Sequence, residues 1–107
     1  MSAEASRDQV ERFFDTHAAA SLRLPDGWFG RPYDNGHTLT STQVDGDALV
    51  VVLDEVQVLT IVSPTVVASE QRLLGLSCGG GSWEWTGYGT ADRHRRAFGA
   101  GMVELVA

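Results

Sequence analysis

Trp28, Arg31, Tyr33, Asp34 and His37 crowd into one short stretch, Gly-Trp-Phe-Gly-Arg-Pro-Tyr-Asp-Asn-Gly-His at 27–37. Aromatic rings supply apolar area to a ligand, and a few polar groups among them supply selection. A carboxylate beside an imidazole fixes its tautomer, so an Asp34–His37 pair would make a general base. Arg31 would hold an anionic group through its planar fork. The same residues also suit a structural plug, with Trp28 and Phe29 capping the open end of a sheet and Arg31 pairing with Asp34. Large aromatics in a loop most often bury something.

Arg93, His94, Arg95 and Arg96 form the single basic cluster. Such a run can grip a phosphate or an acidic partner, or simply sit in a solvated turn balancing acids elsewhere. Asp45, Asp47, Asp54 and Glu55 fall where hairpin turns are expected, so turn geometry explains them before acid–base or calcium chemistry does. Trp83 and Trp85 alternate on one strand face, which suits a core pair better than a stacking platform. Cys78 ends an apolar run, Leu73, Leu74 and Leu76, and reads as a buried, inert thiol. His17 lies on an apolar helix face and reads as a packed residue.

Several chemistries are excluded. The chain has eight basic residues, all arginine, so neither a Schiff-base lysine nor a P-loop lysine is available. No H-E-x-x-H, C-x-x-C or EF-hand spacing occurs, and the three histidines are far apart in sequence. The stretch 80–84 lacks the last glycine of a nucleophile elbow. The stretch 87–92 lacks the third glycine of a dinucleotide fingerprint and has no βαβ unit after it. No metal and no cofactor are expected.

These residues must be placed by one helix and a series of strands. Ser6-Arg7-Asp8-Gln9 has capping-box spacing, and Val10, Phe13, Phe14, His17 and Ala18 follow helical spacing, which predicts a helix over 7–20. Leu24-Pro25-Asp26-Gly27 suits a turn. Strands are expected at 38–44, 48–53, 56–62, 65–68, 72–78 and 82–88. Asp45-Gly46 marks a hairpin. The stretch 91–98 reads as one or two helical turns and 102–106 as a last edge strand. The fold class is therefore α+β: an N-terminal helix packed on a mainly antiparallel, curled β-sheet of about five to seven strands, in a single domain over 1–107.

The segment Gly-Trp-Phe-Gly-Arg-Pro-Tyr-Asp-Asn at 27–35, followed by Val-Val-Leu-Asp-Glu-Val-Gln-Val-Leu-Thr-Ile at 51–61, resembles small bacterial proteins of unknown function. The similarity covers the central third of the chain. It implies a small stand-alone bacterial domain and transfers no catalytic or binding residue.

The net charge is −6, with ten acids and four arginines in 1–62 against four of each in 63–107. An acidic first half argues against nucleic acid as a partner, because phosphate contacts need a positive surface. The apolar run at 48–53 is too short to span a bilayer, and the N-terminus lacks the pattern of a signal peptide. One cysteine gives no internal disulfide, so a cytoplasmic setting is expected. The functional expectation is a non-enzymatic binding protein that masks a basic protein partner, as immunity proteins do. The alternative is a small-ligand site or modest enzyme built on 28–37. Self-association through an edge strand, giving a homo-oligomer, is a further possibility.

Overall fold

Ala3, Ser6, Val10 and Phe13 are spaced as one helical face, and all four are buried along the helix α1 (Ser2–Thr16). In the computed structural model, which describes residues 2–27, 36–86 and 91–107, this helix begins earlier and ends earlier than the sequence pattern predicts. Ser6 is no N-cap. It lies inside the helix, and its hydroxyl donates to the Pro64 carbonyl at 3.2 Å. Ala3, Glu4 and Ala5 are strong enough helix formers to extend the helix ahead of it. At the far end the Thr16 hydroxyl donates to the Arg12 carbonyl, and His17 lies just past the last turn with its ring 4.7 Å from that of Phe13.

Nine strands follow: β1 (Ser21–Arg23), β2 (Leu39–Asp45), β3 (Ala48–Leu53), β4 (Gln57–Val62), β5 (Thr65–Glu70), β6 (Leu73–Cys78), β7 (Gly80–Thr86), β8 (Arg93–Phe98) and β9 (Gly101–Val106). They form two antiparallel sheets, ordered β1-β9-β6-β5 and β2-β3-β4-β7-β8. The α+β class and the antiparallel pairing are as expected. The division into two sheets, and the larger number of strands, are not. Glycine corners produce the division. A single residue, Gly79, separates β6 in one sheet from β7 in the other, and Gly99-Ala100 carries β8 across to β9. Strands switch sheets at such bends.

Two further expectations are corrected, and the hairpin expected at Asp45-Gly46 is present. The stretch 91–98 contains the edge strand β8, not helical turns, because its register with β7 decides the conformation against its weak local pattern. The segment 101–106 is not an edge. It lies between β1 and β6, since the short β1, too brief to read from sequence, covers it. The β2–β3 turn has Gly46 at φ 63 as the first of two loop residues, as a type II′ hairpin requires.

The inner faces share one core. Val51, Leu59, Trp83 and Arg96 face one another in a row across β3, β4, β7 and β8, and Leu49, Ile61, Gly81 and Phe98 form the next. Leu74, Leu76, Cys78, Val103 and Leu105 supply the other sheet's side of the same core. The helix packs against β2 and β3 of one sheet and β5 and β6 of the other, so it closes the gap between the edge strands β2 and β5. No described helix is long and apolar enough to cross a membrane.

Candidate functional site

Of the aromatic stretch, Trp28, Arg31, Tyr33 and Asp34 lie outside the described residues, while His37 lies within them. His37 is 5% exposed. Its backbone exchanges two hydrogen bonds with Ala20, at 2.7 and 2.9 Å, which ties the approach to β2 to the start of β1. Its Nδ1–H donates to Asp54 Oδ2 at 2.6 Å, and its ring meets the edge of Trp83 at 5.3 Å. The carboxylate that holds this imidazole is therefore Asp54, seventeen positions on, in a turn the sequence pattern assigned to geometry alone. Asp54 also accepts from the Thr38 amide at 2.9 Å and from its hydroxyl at 3.3 Å. Its other oxygen being engaged in this way, the pair works as a clamp between two loops.

Beyond His37 an aromatic ladder leads outward. Trp83 is buried, Trp85 is half-buried and lies parallel to it at 6.5 Å, and the exposed His94 stacks on Trp85 at 5.3 Å. Trp83 thus belongs to the core, as its alternation suggests, and Trp85 borders it.

The basic cluster is spread by the strand it occupies. Successive side chains alternate between sheet faces, so Arg93 and Arg95 point away from His94 and Arg96. Arg93 donates to the Val56 carbonyl at 2.7 Å, and Arg96 meets Asp26 Oδ2 through Nε at 3.1 Å and Nη2 at 2.6 Å. Arg95 faces Glu84 across the ladder. Charges along an edge strand also discourage another sheet from adding there. Cys78 is a buried free thiol.

Two features escaped the sequence analysis. The first is a stripe on α1. Glu4, Asp8, Glu11 and Asp15 follow i, i+4, i+7 and i+11 spacing, which stacks four carboxylates on one exposed flank. Glu11 Oε2 accepts from the Thr42 hydroxyl of β2 at 2.6 Å, so the stripe lies on the β2 side of the helix. The acidic hairpin tip of Asp45 and Asp47 belongs to the same strand pair. Neighbouring like charges destabilise a helix, and the helix has no basic residue in its last turn to offset Asp15. The spacing is legible in the sequence, beside the stronger apolar periodicity of Val10, Phe13 and Phe14. The second feature is a groove on the opposite flank, between α1 and β5, made of two adjoining hollows of about 390 and 230 Å³ that share Gln9 and Ser69. Only the tertiary structure brings its two walls together.

Among the described residues no three His, Cys, Asp or Glu side chains are grouped to hold a metal ion. No family description, curated protein or solved structure matches the chain.

Proposed function

We propose that the chain is a non-enzymatic interaction protein that masks a basic surface on a protein partner. The stripe of Glu4, Asp8, Glu11 and Asp15 on α1 carries this reading. Four exposed carboxylates within one helical flank cost the fold electrostatic repulsion and serve no core, and a field of one sign attracts and orients a partner of the other. Asp47 and Asp54 have structural partners in Ser63 and His37, as Glu11 has in Thr42, so Glu4, Asp8 and Asp15 are the recognition elements of the acidic surface. A buried free thiol suits a reducing compartment, and a small bacterial origin fits the resemblance in the 27–35 segment.

The test is association kinetics with the partner recovered alongside the untagged chain from its own cells. Replacing Glu4, Asp8 and Asp15 by their amides is expected to slow association about tenfold at low salt and to flatten its salt dependence, with dissociation little changed. An unchanged on-rate, or a partner whose contact surface is acidic, overturns the reading.

One observation favours a second reading, a small-ligand site on the aromatic ladder that runs outward from His37 through Trp83 and Trp85. Half-buried Trp85 stacks with both Trp83, at 6.5 Å, and the exposed His94 ring, at 5.3 Å, and a planar ligand would join this stack by displacing the exposed imidazole. Quenching of tryptophan fluorescence that persists in the amide variant of the helix stripe would support this reading.

A further inference from the structure

The outer face of the five-stranded sheet breaks the usual alternation. An antiparallel sheet with one face on a core turns polar residues to water on the other. In β3 the inward residues are Leu49, Val51 and Leu53, yet the outward ones are Ala48, Val50 and Val52, all half-buried. In β4 the outward residues are Val58, Thr60 and Val62, the last 36% exposed. The ladders set the outward side chains in three rows. Gln43, Val50, Thr60, Ser82 and Ala97 make the middle one. Ser41, Val52, Val58, Glu84 and Arg95 lie to one side of it, and Asp45, Ala48, Val62 and Gly80 to the other. α1 packs among the core residues of the inner face, and among the described residues no helix or strand covers the valines.

We infer that this face packs on the same face of a second copy, about a two-fold axis that crosses the strands at the middle row. The contact goes beyond the masking of a basic partner, because it leaves the carboxylates of α1 free. Such an axis lays β3 on β3 and β4 on β4 and reverses the order of the rows. Val50 then meets Val50 of the other copy, Val58 meets Val62, and Val52 meets Ala48. The charged rim also finds room. Glu84 and Arg95, neighbours across the β7–β8 ladder, come over the row that ends at Gly80, and Asp45 comes over the Ser41 hydroxyl. An axis along the strands would instead set Val52 against Glu84 and take that carboxylate out of water. Two copies carrying −6 each repel one another. They can meet here because the outward residues of β3 and β4 are all uncharged. Five strands by five residues make a face of about 24 by 17 Å, or about 400 Å² per copy. A standard complex buries about 800 Å² per partner, so this dimer is a reversible one, forming at micromolar concentration or above.

Sedimentation velocity of the whole untagged chain, from about 1 μM to about 1 mM, is the test. The expected mass rises from one chain towards two, and the rise sharpens with salt, which screens the acidic repulsion and spares the apolar contact. Val50→Lys brings two ammonium groups together at the axis. It should weaken the dimer about a hundredfold and leave the melting temperature of dilute protein little changed, since the side chain points away from the core. Val52→Lys alone and Ala48→Glu alone should each weaken it. The two changes in one chain set each lysine against a glutamate of the other copy and should restore association. Within one chain the two positions are about 13 Å apart along the strand, so the restoration comes from between copies. A single-chain mass at every concentration overturns the inference. So does a dimer indifferent to Val50→Lys, or a double variant no better than the single ones. The amide variant of Glu4, Asp8 and Asp15 retains the dimer while it loses a basic partner, so the two readings fail separately.

Discussion

Asp54 adopts φ 52 and Glu55 φ 71, in the left-handed region that disfavours residues with a Cβ by roughly 1–2 kcal/mol. Asp54 offsets that strain with three hydrogen bonds, to the His37 ring and to the Thr38 amide and hydroxyl. Glu55 is helped by its amide, which donates to Thr40 Oγ1 at 2.7 Å. If the clamp depends on acceptor geometry, Asp54→Asn should cost about 1 kcal/mol, because asparagine tolerates the left-handed backbone and keeps one acceptor. Asp54→Ala should cost about 2–3 kcal/mol, and a double change with His37→Ala should cost less than the two single losses together. Urea unfolding of the four proteins decides the matter. Equal losses for the asparagine and alanine variants would show that charge, rather than geometry, holds the loops. The sequence pairs His37 with Asp34, which lies outside the described residues, and nothing local distinguishes Asp54, the carboxylate the structure places on its ring, from the other turn acids. Its role arises from the β3–β4 turn folding back onto the start of β2.

At the scale of elements, the corner glycines decide the architecture. A Cβ at Gly81 would collide with the Thr60 carbonyl oxygen and approach the Phe98 ring to 2.7 Å; one at Gly101 would meet the Pro25 Cβ at 2.7 Å. Close approach of β4 to β7, and of β9 to the turn at 24–27, therefore depends on these positions. Gly81→Ala is expected to destabilise by about 2–3 kcal/mol through overpacking against backbone that cannot yield, whereas Gly99→Ala, with open space around it, should be close to neutral. Matching melting temperatures for the two variants would mean that the corner can open. A strand rich in β-branched residues and one apolar on both faces, joined by a turn glycine, as β2 and β3 are, is legible in the sequence. The sheet switch at Gly79 was not, since a glycine run reads as a loop whether or not the chain changes sheets there. β8 was hidden because Arg-His-Arg-Arg carries no apolar alternation, and its pairing with β7 is a tertiary decision.

For the whole molecule, the distribution of charge runs against stability. The net charge is −6, yet α1 concentrates carboxylates at i, i+4, i+7 and i+11 and ends with Asp15 beside the negative pole of the helix dipole. The dipole and Glu11, at i−4, both oppose that carboxylate, and Arg12, at i−3, offsets part of the repulsion. A fold selected for stability alone would favour a basic residue at the C-terminal turn. Asp15→Asn should therefore raise stability by about 0.5–1 kcal/mol at low ionic strength, and the gain should shrink as salt screens it over the last turn. Thermal melts at low and high salt measure both. A stabilised variant that also associates more slowly with the partner would show the stripe kept for recognition at the expense of the fold. A variant that is no more stable than the parent would show that Asp15 has a favourable setting, and the stripe would then need no functional explanation.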